Sequence, residues 1–147
     1  MNKLLLAIVT FISTVILTNV SFADIDENGL QVYMVNATDY TCKLTNKTLK
    51  HGYWYKKPPD TVKPDETAYW AAIKKALHGP DMDLTFKCGA YSFSVINQQN
   101  VSILAGGDQN NKTYHVDGHL SVIIKEIQHA SWKDDKPGVA QIVVSLN

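Results

Sequence analysis

The sequence predicts an all-β protein: an antiparallel β-sandwich of about seven to nine short strands, with room for one short helix. Three observations carry that expectation. From Met82 onward, apolar and polar residues alternate with period two in run after run. The runs are rich in β-branched and aromatic residues and are bounded by Gly, Pro, Asn and Asp. Asp117-Gly118, between two such runs, is the strongest two-residue hairpin signal in the chain. No internal repeat, linker or low-complexity tract interrupts them, so residues 24–147 read as a single domain around one core.

Residues 1–23 read as a secretory signal peptide. Met1-Asn2-Lys3 is a short basic start, Leu4 to Leu17 is apolar except for Thr10, Ser13 and Thr14, and Ser21-Phe22-Ala23 fits a cleavage site before Asp24. The apolar run is short for a ~20-residue membrane span. The expected product is secreted or periplasmic. Without Lys3 it carries 13 lysines against 14 acidic residues, hence about −1 net charge, and it has no arginine. The missing guanidinium groups and the absence of a basic stripe argue against nucleic acid as a partner. Cys42 and Cys88 are the only cysteines, and in an oxidising compartment they are expected to form a disulfide that encloses the aromatic segment and pins its base.

The elements follow in order. Leu30 to Val35 reads as a strand, Asn36 to Asp39 as a turn, and Thr41 to Thr45 as a strand with Cys42 and Leu44 inward and Lys43 in water. Glu66 to Leu77 is ambiguous. Tyr69, Ile73, Ala76 and Leu77 share a helical face and Gly79-Pro80 is a stop signal, which slightly favours a helix, while Thr67 to Ala71 also suits a strand. Leu84, Phe86 and Cys88 share a strand face, Gly89-Ala90 is a tight connection, and Tyr91 to Val95 alternates without error. Gln98-Gln99-Asn100 is expected to turn into a strand over Val101 to Leu104, followed by a polar loop from Gly106 to Lys112. Thr113 to Val116 and His119 to Ile127 form the expected hairpin, and a turn over residues 133–138 precedes a last strand from Val139 to Leu146.

The candidate site is His51-Gly52-Tyr53-Trp54-Tyr55-Lys56-Lys57-Pro58-Pro59, with three adjacent aromatics beside two cations. Its two prolines cannot continue a sheet or helix, so the segment is expected to be a structured loop. Three adjacent rings cannot all enter one core, so at least one should face solvent. Tyr53, Trp54 and Tyr55 suit a bilayer interface or a sugar face, and Lys56 and Lys57 suit anionic headgroups. The competing reading is that the rings only cap one end of the sandwich.

Other constellations are weaker. His115-x-Asp117-x-His119 has metal-like spacing, but a hairpin at Asp117-Gly118 would put the two histidines on opposite sheet faces, and His78 and His129 stand alone. There is no nucleophile elbow, zinc helix motif or phosphate-binding glycine loop, so neither an enzyme nor a cofactor is indicated. Asn36, Asn46, Asn100 and Asn111 fit the glycosylation pattern and read as turn asparagines.

The ordered series Asn36-x-Thr38, Leu49-x-His51-Gly52-x-Trp54, Pro58-Pro59, Val62-x-Pro64 and Thr67-x-x-Trp70 resembles the aegerolysin-like proteins, which include bacterial crystal-protein cytolysins and fungal haemolysin relatives. It covers about the middle third of the predicted domain, with a weaker echo from Gly106 to Tyr114. The resemblance implies a small β-sandwich that recognises membrane lipids, sometimes assisting a pore-forming partner. It also implies a strand over Thr67 to Ile73, the reading adopted here, and structural roles for Trp54 and Trp70. The signal peptide, the cysteine pair and Lys74-Lys75-Ala76-Leu77-His78, in place of a glycine-rich stretch, depart from the pattern. These departures bear on cytolytic activity more than on fold.

The expected function is thus non-enzymatic recognition of a membrane lipid or glycan surface through the aromatic end. The alternative is an exported module that binds another protein, as an inhibitor or envelope component.

Overall fold

A computed structural model describes Ile25 and residues 29–100, 107–131 and 133–147. The signal peptide and the strand expected over Val101 to Leu104 lie outside the described residues. Ten strands are described: β1 (Gly29–Ala37), β2 (Cys42–His51), β3 (Tyr53–Lys56), β4 (Thr61–Val62), β5 (Thr67–Ile73), β6 (Asp81–Cys88), β7 (Tyr91–Gln99), β8 (Gln109–Val116), β9 (Leu120–Gln128) and β10 (Gly138–Leu146). They form two five-stranded sheets, ordered β3-β5-β1-β10-β9 and β4-β2-β6-β7-β8. The β-sandwich is as expected, with one strand beyond the expected range and no helix among the described residues. The pairings are antiparallel except for β1 with β10, which run parallel through the middle of the first sheet.

The inner faces follow the alternation. Leu30, Val32, Met34, Trp70, Ile142 and Val144 from the first sheet meet Met82, Leu84, Phe86, Phe93 and Val95 from the second, all fully buried. Trp70 packs on Phe86 with ring centroids 5.9 Å apart, and Phe86 stacks on Phe93 at 5.4 Å. Burial of aromatic surface of this kind supplies much of a small sandwich's stability.

Residues 67–73 are a strand, although helical spacing slightly favoured the alternative. Packing decides it: Ala68, Trp70 and Ala72 fill the space between the sheets, while β1 supplies a ladder from Gly29↔Ile73 to Val35↔Thr67. The Asn36-x-Thr38 turn is also structural. Buried Asn36 donates through Nδ2 to the carbonyls of Tyr40 (2.8 Å) and Val62 (3.0 Å), and its Oδ1 accepts from the Thr38 hydroxyl at 2.7 Å.

Several local expectations are corrected. Tyr53–Lys56 is an edge strand rather than a loop, and only the segment carrying Pro58 and Pro59 leaves the sheet. Gln98 and Gln99 remain in β7, and β8 starts at Gln109, inside the expected polar loop. Asp117-Gly118 does not close a hairpin: β8 is the edge of the second sheet and β9 the edge of the first, so the chain changes sheets there. Gly52 lies at another change of sheet, from β2 to β3. Its φ is +100°, and an added Cβ would lie 2.5 Å from the Ile73 carbonyl oxygen, so glycine is required.

The Cys42–Cys88 disulfide forms between directly opposed residues of β2 and β6. Closing a loop with sequence separation 46 constrains the unfolded chain by roughly 4 kcal/mol. The aromatic segment is enclosed in sequence, but its base is not pinned. Cys42 and His51 are opposite ends of β2, so the bond lies near Val62, three residues past the segment's Pro59 end, and far from His51, where the segment begins.

Candidate interaction surface

The β3–β5 edge of the first sheet gathers the predicted residues unequally. Trp54 pairs with Ala72 and packs against the core, so it faces inward. A bulge between Trp54 and Lys56 then opposes two residues to Ala71, turning Tyr55 and Lys56 toward the outer face. Tyr53 is 54% and Tyr55 46% exposed. Lys57 is exposed beyond the end of β3. Of the three rings, Tyr53 and Tyr55 are therefore presented to solvent, and Trp54 anchors the strand that carries them.

Sequence reasoning missed the residues behind them. Tyr33 and Tyr69 are directly paired on the outer face of β1 and β5, with ring centroids 4.9 Å apart. Lys56 Nζ lies 5.0 Å from the Tyr69 ring centre, and Lys75 Nζ 5.5 Å from that of Tyr53. Each lysine is held over a π face, a contact worth about 0.5–1 kcal/mol where exposed. Burial, followed by the neighbouring Tyr33 and Tyr55 phenols, pushes the Tyr69 phenol up to about 12; burial also raises Tyr33. Tyr33 could have been found from its phase, since it alternates with the core residues Val32 and Met34. Tyr69 shares that outward phase once β5 is a strand, instead of lying on the apolar helix face suggested by periodicity.

Two outward rows continue across the sheet. Tyr69, Tyr33, Gln141 and Lys125 form one, and Thr67, Val35, Val143 and Ile123 the next. The second row is apolar over three strands and ends in half-exposed Ile123.

The outer face of the second sheet is polar, and several of its groups are paired with one another. Asp83 accepts from the Tyr114 hydroxyl at 2.8 Å and meets Lys50 Nζ at 3.3 Å. Thr85 and Ser94 hydroxyls lie 2.9 Å apart, and the Gln98 amide donates to Asp81 at 2.9 Å.

At the β8–β9 corner, Ser92, His115 and Asp117 come together. The arrangement is a clamp. Asp117 accepts from both the backbone N–H and the hydroxyl of Ser92, the latter at 3.1 Å, and these bonds hold its carboxyl below the usual range, assisted by His115 and His119. His115 Nε2 faces both Ser92 Oγ (3.2 Å) and Asp117 (3.5 Å). In a nucleophilic triad the carboxylate takes the other ring nitrogen. His119 packs on Tyr91 instead of joining His115, His78 stacks on His51 at 5.2 Å, and His129 binds Glu126 at 2.8 Å. Neither His78 nor His129 stands alone. Among the described residues, no group of three or more His, Cys, Asp or Glu is placed to hold a metal ion.

No family model matches the chain, and no curated protein matches its sequence. Solved structures do match in three dimensions. The crystal structure of RahU protein in complex with a TRIS molecule aligns with TM-score 0.61 and 12% identity over 84% of this chain and 96% of that one. IP-1A from Alcaligenes faecalis aligns with TM-score 0.59 and 13% identity over 84% and 94%. The lipid binding protein Nakanori aligns with TM-score 0.60 and 8% identity over 80% of this chain and 70% of its own. At such identities the likeness is one of fold: this chain is built on the same β-sandwich as RahU, IP-1A and Nakanori.

Proposed function

We propose that this protein is an exported, non-enzymatic, distant aegerolysin-like module that docks on a membrane lipid surface. The contact is the outer face of the first sheet at its β3–β5 edge. The observation that carries this reading is one cluster of exposed Tyr53 and Tyr55 with Lys75 held over Tyr53 and Lys56 held over Tyr69, backed by the Tyr33–Tyr69 stack. Phenol rings settle at headgroup depth, and lysines pair with phosphates. The shared fold with a protein named for lipid binding supports the reading. The disulfide fits an oxidising compartment, as the expected signal peptide requires.

The test is co-sedimentation of the oxidised protein, residues 24–147, with liposomes of varied composition. Tyr53→Ala/Tyr55→Ala should weaken binding by about tenfold or more, the loss expected when two interfacial aromatic anchors are removed. Trp54 is left in place because it holds β3 to the core. Pelleting that ignores the double substitution overturns the surface assignment. Failure to pellet with any composition, alongside capture of a glycan or a stoichiometric protein partner, overturns lipid docking.

A further inference from the structure

Beyond β5 the chain makes a turn that the aromatic surface does not explain. Lys75 and His78 form an isolated bridge with reciprocal backbone hydrogen bonds of 3.0 and 3.1 Å. Between them Ala76 has φ +55°, the left-handed region that glycine usually fills in so tight a turn. Leu77 stands at the tip, 75% exposed, the most exposed of the large hydrophobic side chains among the described residues. It is held outward by a closed turn, so its projection is built into the backbone. Around it lie Lys74, Lys75 and His78, with His78 stacked on His51 and Lys75 resting on Tyr53. Among the described residues, Lys50 is the one lysine in a salt bridge, so Lys56, Lys57, Lys74 and Lys75 offer their charge outward.

From this geometry we infer that Leu77 is a membrane wedge. The molecule meets an anionic bilayer with the 74–78 turn foremost, Leu77 entering the acyl boundary and Lys74 and Lys75 at the phosphates. An apolar tip ringed by cations without acidic partners is complementary to a negatively charged interface, where leucine gains by leaving water and lysine by staying at its edge. Tyr53, joined to the turn through Lys75, then lies at headgroup level. The inference rests on the lipid-docking reading and adds to it the penetrating residue, the orientation and the sign of the lipid.

The experiment places a polarity-sensitive fluorophore on Leu77→Cys and, separately, on Lys112→Cys at an exposed position of β8 in the other sheet. The native cysteines are buried in their disulfide. Each labelled protein is mixed with phosphatidylcholine vesicles with or without phosphatidylglycerol, and pelleting is followed in parallel. The expected result is a blue shift, and quenching by brominated acyl chains, at position 77 with anionic vesicles alone, and no change at 112. Unlabelled Leu77→Ser should lose about tenfold in affinity for the anionic vesicles, the scale of one leucine side chain kept in water. Pelleting while the label at 77 stays in water, or equal responses at 77 and 112, overturns the wedge and leaves lipid docking standing. Absence of pelleting with every vesicle overturns both.

Discussion

The two sheets share a core and differ on their outer faces. On the second, Asp83 engages Tyr114 and Lys50, Thr85 meets Ser94, and Asp81 meets Gln98. On the first, the exposed groups are tyrosines, lysines held over their rings, and an apolar row ending in Ile123. One face pairs many of its polar groups internally, although Lys43 and Lys87 stand directly opposed on it outside the salt bridges of the described residues. The other leaves amphipathic rings and uncompensated cations facing out. Both faces are drawn from strands of ordinary β composition, so the difference between them lies in which residues occupy the outward phase.

That contrast can be broken at three places, with effects that diminish in order. Trp54→Ala should cost about 2–3 kcal/mol of stability, somewhat under the cost of a fully buried tryptophan, because the ring is only partly enclosed. Chemical denaturation measures it, and lipid affinity at low temperature should change far less than in the Tyr53→Ala/Tyr55→Ala protein. An affinity loss as large as that of the double variant would mean that Trp54 contacts lipid itself. Asp83→Ala should destabilise by about 1 kcal/mol or less, since its partners are partly solvated, and leave vesicle binding unchanged. Weakened vesicle binding in that variant would bring the second face into the contact.

The smallest effect is a titration. The Tyr69 phenol is raised to about 12, above its unfolded value, so its protonated form favours the folded state. That stability is complete below about pH 10 and is lost as the pH climbs through about 12. In an ultraviolet titration, Tyr69→Phe should remove the last phenol to ionise and leave the earlier ones in place. If the last-ionising phenol persists, the Tyr33–Tyr69 stack is not the closed pair described.

Much of this was legible from local pattern. Period two assigned Leu84, Phe86 and Cys88 to one face, and the ordered series through Trp70 made Thr67–Ile73 a strand against its propensity. The expectation of an oxidising compartment paired Cys42 with Cys88. What escaped were relations that alternation does not encode. Period two tells which residues share a face, but not which sheet a strand joins, so Asp117-Gly118 looked like a hairpin and the exchange at Gly52 looked like the start of a loop. The parallel partnership of β1 and β10 links strands from opposite ends of the domain and leaves no local trace. Tyrosine is amphipathic, and Tyr69 therefore suited a buried helix face and an exposed strand face equally well. Leu77 was placed on an apolar helix face; the closed turn at Lys75 and His78 puts it in solvent instead.

The place of β10 also sets the order of events in biogenesis. It fills the gap between β1 and β9, so before it is synthesised the first sheet is two disconnected pieces with Ile142 and Val144 missing from between the sheets. Contacts of such long sequence separation form late and slowly. Until β10 is added the chain has no complete sandwich to fold into, and the first sheet closes only once that strand is in place.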